Sequence, residues 1–309
     1  MDHSSPPPFA LFPPPYREFI PLEPSETFPR DRKVLRGTAL IWNLKKDDDA
    51  YLLKRASSRP AGLPLMIILP PAQELRACRD KVLAVAEEAR PQTILPHQPR
   101  MEPEEMRCLL RREPSNLPQE FTDYLLWRGL PLDQETRRIV RRTVELSLEL
   151  RTLQALARAL YLSRRALGRR FQKRGLPVPS HWLQVSRLLR ATLRMQNSGS
   201  SLFEVAFSLG YPDGFTLSNQ MERLVGVRPS VARERLGWEW FVEAWLQREK
   251  ETGGLDASLM KPSDEEIHPG REGLAARRDP VRAVAEPRAR GTDDAPGGDD
   301  GAGERSEAA

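Results

Sequence analysis

The stretch from Thr152 to Trp238 most limits what this chain can fold into, because it uses one pattern twice. TLQALARAL, YL and SRRALGRRFQK in the first pass are matched by SLFEVAFSL, GYPD and GFTLSNQMERL in the second. Landmarks recur about fifty residues apart: Ala157 with Ala206, Leu162 with Tyr211, Phe171 with Met221, and Pro179 with Pro229. A repeat of that length means one supersecondary unit made twice. Each pass gives a short apolar-faced helix, a break and a second helix, which reads as a helix-turn-helix.

Local chemistry supports each unit. In the first, Thr152 is placed to cap a helix whose apolar face is Leu153, Leu156 and Ala157, and the small Ala157 allows a close crossing. Tyr161-Leu162 makes the turn, Ser163 can cap the next helix, and Leu167 and Phe171 point inward four residues apart. That leaves Arg164, Arg165, Gly168 and Arg169 outside, with Arg170 at the edge and Lys173 beyond. Ser180 to Gln196 is expected as one rod, with Trp182, Leu183, Leu188 and Leu189 packing on both units. In the second unit Ser201 and Glu204 fit a capping box, Val205, Ala206 and Leu209 form the core face, and Gly210 ends the helix. Asp213 can cap the second recognition helix. Leu217 and Met221 go inside, and Phe215, Thr216, Ser218 and Asn219 lie outside; Phe215 fits core and contact equally.

Charge is distributed to match. The net charge is +5, but residues 141–190 alone hold twelve basic against two acidic side chains. From Thr252 onward the balance reverses, with thirteen acidic against eight basic. A basic segment beside an acidic tail is a polarity of nucleic-acid-binding chains, although a solvated arginine-rich helix surface would share the first half of it. Guanidinium groups on a capped, exposed helix can hydrogen-bond guanine in bidentate fashion and neutralise phosphates.

The remaining chain divides by composition. Residues 1–30, with PPPFALFPPP, read as a proline-rich disordered leader, a polyproline ligand being the alternative. Residues 31–130 read as a small α/β regulatory or dimerisation domain. VLRGTALIWNL and AYLLKR are expected as strands about a KKDDD turn, LPLMIIL as a buried strand, PAQELRACRDKVLAVAEEAR as a helix and QTILP as a further strand. Two helical pieces within 102–132 precede a longer helix in DQETRRIVRRTVELSLELR, the start of a DNA-binding domain over 131–250. Residues 251–309 read as a disordered acidic tail. The run Asp47, Asp48 and Asp49 lacks the companions of a phosphoacceptor pocket and reads as a solvated turn, and His97 as a loop residue. Cys78 and Cys108 give neither a disulfide framework nor metal-ligand spacing, so no metal and no cofactor are expected. With no signal peptide and no apolar run long enough for a bilayer, the expectation is a soluble chain with no membrane partner.

Residues 152–235 resemble the DNA-binding domain of AraC/XylS-type transcription regulators. The resemblance rests on LARALYLSRRALGRRF, PVPSHWLQVSRLLRA and GYPDGFTLSNQMERLVGVRP with its closing Gly-Val-x-Pro. It implies a mainly α fold: two helix-turn-helix units joined by a long linker helix, preceded by the small α/β domain. It also implies a bacterial, cytoplasmic regulator bound to double-stranded DNA, with RNA polymerase and a second copy of the chain as further partners. The resemblance implies contacts from Arg164, Arg165, Gly168 and Arg169 in the first unit and from Gly214, Phe215, Ser218 and Asn219 in the second; the full candidate set adds Ser163, Arg170 and Lys173, and Asp213 and Thr216. Arg165 and Arg169 would read base edges, with Arg164, Arg170 and Lys173 on phosphates. Leu217, Asn219 and Met221 stand where the family has Phe-x-Arg-x-Phe, and Gly175 falls one position early. Residues 201–250 hold six basic and seven acidic residues, so the second unit offers little electrostatic affinity. A competing reading is a degenerate helix-turn-helix that binds protein. An enzymatic N-terminal part is the least supported, since no paired carboxylate, nucleophile–base set or phosphate loop is present.

Overall fold

The computed structural model describes residues 7–259, apart from 24, 30, 47, 49 and 99–101. It is mainly helical, with a small α/β part at the N-terminal end. Five strands, β1 (Phe9–Phe12), β2 (Ile20–Leu22), β3 (Ala39–Asn43), β4 (Leu65–Ile68) and β5 (Thr93–Leu95), form one sheet in the order β2-β1-β3-β4-β5. The first three are antiparallel neighbours; β3, β4 and β5 run parallel.

Strands β1, β3 and β4 are apolar on both faces because both faces are covered. Phe9, Leu11, Leu40, Trp42, Leu65 and Ile67 pack with Leu52, Ala56, Val85 and Ala89 from α2 (Ala50–Ser57) and α4 (Arg79–Ala89). Phe12, Ala39, Ile41, Met66 and Ile68 pack with Met106 and Leu110 of α5 (Pro103–Arg111). Two short helices, α1 (Arg32–Leu35) and α3 (Ala72–Leu75), complete this part.

Three expectations are corrected here. The leader is not disordered over residues 9–22, where β1 is a fully buried strand between β2 and β3. Its flanking prolines lie outside the strand, and the apolar FALF between them supplies the sheet. AYLLKR is helix, not strand: Leu52, Arg55 and Ala56 are buried while Tyr51 and Lys54 are exposed, which is helical spacing. Parallel β3 and β4 need a crossover, and α2 lies between them in the chain. Asp48 is not a solvated turn residue either. It is 8% exposed and accepts hydrogen bonds from Trp42 Nε1 and the Lys45 amide, both at 2.9 Å. Asp47, Asp49 and the acidic tail beyond residue 259 lie outside the described residues.

The helical core is wider than the expected 131–250. It begins with Leu117, Phe121, Tyr124 and Leu125 of α6 (Leu117–Trp127) and runs to Leu255. It continues through α7 (Gln134–Leu146), α8 (Leu153–Ala159), α9 (Arg164–Gln172), α10 (Pro179–Asn197), α11 (Leu202–Ser208), α12 (Gly214–Val225), α13 (Pro229–Glu234) and α14 (Glu239–Glu251). Trp182 lies at its centre, with ring centroids 4.8 Å from Trp245, 6.0 Å from Phe171 and 6.2 Å from Phe121.

Sheet and helical core are joined by specific bonds. Tyr16 Oη donates to the Gly37 carbonyl at 2.6 Å and accepts the Leu236 amide at 2.7 Å, while the Leu236 side chain enters the sheet's second core. The Arg59 guanidinium donates to the Leu63, Ala56, Ala89 and Arg90 carbonyls and lies 4.5 Å from the Trp127 ring centroid. Burial lowers its pKa to about 10.

Candidate nucleic-acid interface

Both repeat units close in the same way. The Leu162 amide donates to the Ala157 carbonyl, and the Tyr211 amide to the Ala206 carbonyl, each at 2.9 Å. The residue before each donor, Tyr161 or Gly210, has a left-handed backbone with φ of 55° or 72°. These are the landmark pairs of the sequence repeat, and the bonds satisfy carbonyls left open where α8 and α11 end.

Four caps set where the helices begin. Thr152 accepts the Ala155 amide at 3.2 Å, Ser163 the Ala166 amide at 3.1 Å, and Asp213 the Thr216 amide at 2.6 Å. Ser201 and Glu204 form the complete capping box. The Thr216 amide holds the Asp213 carboxyl below the usual carboxylate range. Ser163 and Asp213 thereby fix the first turns of α9 and α12.

Leu167 and Phe171 of α9 are buried, so the helix shows its other side: Arg164, Arg165 and Arg169 are exposed, as is Lys173 just beyond it, and Gly168 lies among them. Among the described residues no carboxylate pairs with these four cations. Nothing stands within 4 Å of where a Cβ on Gly168 would be. The Arg170 guanidinium is ion-paired with Glu135 of α7. Its charge holds α9 to α7, as does the neighbouring pair of Arg174 with Asp133.

On α12, Leu217 and Met221 are buried and Phe215, Thr216 and Asn219 exposed, Phe215 at 75%; Ser218 is half-buried. Gly214 faces Leu202, whose Cγ would lie 3.2 Å from a Cβ there. Phe215 is thus surface, not core. Phe203 and Phe207 of α11 are also exposed and stack at 6.3 Å with 16° between their planes. Sequence reasoning passed over this pair, although two phenylalanines four apart opposite Val205 and Ala206 were the available signal.

Between the units, α10 is buried along most of its length. Arg190 donates to Ser147 Oγ at 2.9 Å and to the Val144 carbonyl at 2.8 Å, fixing α7 on the rod. Among the described residues no group of three or more His, Cys, Asp or Glu could hold a metal ion, and no helix is long and apolar enough to cross a membrane.

Two capped helix-turn-helix units thus stand on one rod, and among the described residues no carboxylate pairs with the arginines exposed on the first. Residues 156–235 match a family model described as a helix-turn-helix domain, and this segment is an AraC-type helix-turn-helix domain. The match covers about a quarter of the chain, and its family is one of DNA-binding regulators rather than enzymes. No curated protein and no solved structure gives a significant match to the chain.

Proposed function

We propose that this protein is a sequence-specific transcription regulator that reads the major groove with both helix-turn-helix units. The observation that carries the reading is the outward row of Arg164, Arg165, Arg169 and Lys173 on and just beyond α9, unpaired among the described residues and set within the matched domain. Arg165 and Arg169 take base edges; Arg164 and Lys173 take phosphates. Ser163 and Gly168 serve the same helix, one by capping it and one by leaving room. Arg170 contributes through its bond to Glu135. On α12 the contacts come from Gly214, Phe215, Thr216, Ser218 and Asn219, set by the Asp213 cap, and are mostly neutral. The sheet-bearing part is the regulatory portion and the site of self-association, and RNA polymerase is the protein partner. The stacked Phe203 and Phe207 are an exposed apolar surface suited to such a protein contact.

The test is binding of the full chain to random duplex DNA across a salt series, followed by selection of preferred sites. A log–log slope of about −5 or steeper corresponds to roughly six neutralised phosphates. Two selected elements about one helical turn apart are expected, because two recognition helices on one rod meet successive major grooves. A flat salt response with no enriched site would leave the protein-interaction reading in place.

A further inference from the structure

The first turns of α12 expose Phe215, Thr216 and Asn219 and no cation. Its own Arg223 lies in the last turn of α12, and positive charge reaches the turn before α12 from outside the unit. Gly210 has φ +72°, and the Arg151 guanidinium occupies the place a Cβ on Gly210 would take. Arg151 precedes Thr152, the cap of α8, so its side chain reaches from the first unit to the turn of the second. Arg187 rises from α10 to donate to the Leu209 carbonyl, with its guanidinium 4.5 Å from the Tyr211 ring centroid. Two turns along the same helix, Arg194 donates to Ser208 Oγ.

Three guanidinium groups therefore meet the segment Ser208 to Tyr211. Their partners there are a carbonyl, a hydroxyl, an aromatic ring and a bare glycine. Among the described residues none of the three is ion-paired with a carboxylate, and Asp213 is committed to the Thr216 amide. Burial lowers the pKa of Arg187, Tyr211 opposes this, and the like charge of Arg151 lowers it further. Cations gathered without an ion-paired carboxylate repel one another, and an approaching anion relieves that repulsion.

The geometry points to Arg151 as a backbone-phosphate contact for the DNA segment between the two major-groove sites, lending the second unit the charge that the first turns of its own helix lack. Arg151 is exposed, and its planar fork suits bidentate phosphate binding. Arg187, 7% exposed, holds the turn beneath it and adds to the local potential. This rests on the DNA-binding reading above.

The experiment compares the full chain with Arg151→Gln and Arg151→Lys on two duplexes: the full selected site, and one ending after the first unit's element. Thermal melting confirms that each variant folds. On the full site Arg151→Gln is expected to weaken binding about tenfold, the loss of one charge-assisted hydrogen bond. Its salt slope should also become shallower by about one. Arg151→Lys keeps the charge and should retain the slope. On the short duplex Arg151→Gln should match the parent protein. An unchanged slope on the full site, or an equal loss on both duplexes, overturns this assignment while leaving the regulator reading intact. A parent protein with no salt-dependent binding would overturn both.

Discussion

Arg170 and Glu135 form an ion pair that ties the first recognition helix to the helix preceding its unit. Glu135 is 61% exposed, so the pair adds at most about 1 kcal/mol to stability. Its larger effect is on where positive charge is available. Glu135→Gln frees Arg170, and the expected result is tighter non-specific DNA binding with a salt slope steeper by up to about one. Binding titrations at several salt concentrations measure this; an unaltered slope would show that Arg170 stays clear of phosphates.

Gly168 sits inside α9 with open space where its side chain would be. Glycine in a helix interior costs about 1 kcal/mol relative to alanine. Gly168→Ala should therefore raise the unfolding free energy by about 1 kcal/mol in a denaturant titration. If Gly168 meets the duplex as proposed, affinity for the selected DNA site should fall severalfold, because the added methyl takes that room. A variant that gained stability and kept full affinity would place Gly168 outside the contact.

Asp133 caps α7 by accepting the Thr136 amide at 2.7 Å and is ion-paired with Arg174. The Thr136 bonds first, and then Arg174, lower its pKa from 3.8 to about 2. A depressed carboxylate stabilises the fold when ionised, so its contribution is complete above about pH 4 and is lost as pH falls through about 2. Asp133→Asn should melt below the parent protein near neutral pH, and the gap should close between about pH 4 and about pH 2. A gap that stayed constant would mean the ionised form adds nothing.

Tyr16 is 3% exposed, and its hydroxyl serves both Gly37 and Leu236. Burial raises its pKa far above the ordinary phenol value, so it stays a neutral donor at any physiological pH. Tyr16→Phe orphans a carbonyl and an amide, and the expected loss is about 1–3 kcal/mol of stability. Calorimetry reads this directly, and a loss under a few tenths would show that water replaces the hydroxyl.

The repeat was legible because everything that defines it is local. Caps at Thr152, Ser163, Ser201 and Asp213, inward pairs such as Leu167 and Phe171, and the turns at Tyr161 and Gly210 are all set within a few residues. The sheet was legible in part. LPLMIIL and QTILP contain β4 and β5, while the prolines around Phe9–Phe12 hid a strand whose partner, β3, begins at Ala39. AYLLKR was ambiguous between strand and helix at eight residues or fewer, and the parallel pairing of β3 with β4 decided it. The Arg170–Glu135 ion pair was beyond local reading, since Glu135 lies a whole helix upstream. Helix α14, with Trp245 against Trp182, was not legible because its apolar residues almost encircle it and leave little amphipathic pattern.

Leu236, just past the second unit, completes the core of a sheet that starts at Phe9. The two halves are therefore not interchangeable cassettes. Cutting the chain between them, or grafting the helix-turn-helix half onto another domain, would uncover Leu236 and leave the Tyr16 hydroxyl without its amide. The Tyr16 hydroxyl and the backbone just past α13 are one hydrogen bond apart, so a displacement of either must move or break that bond.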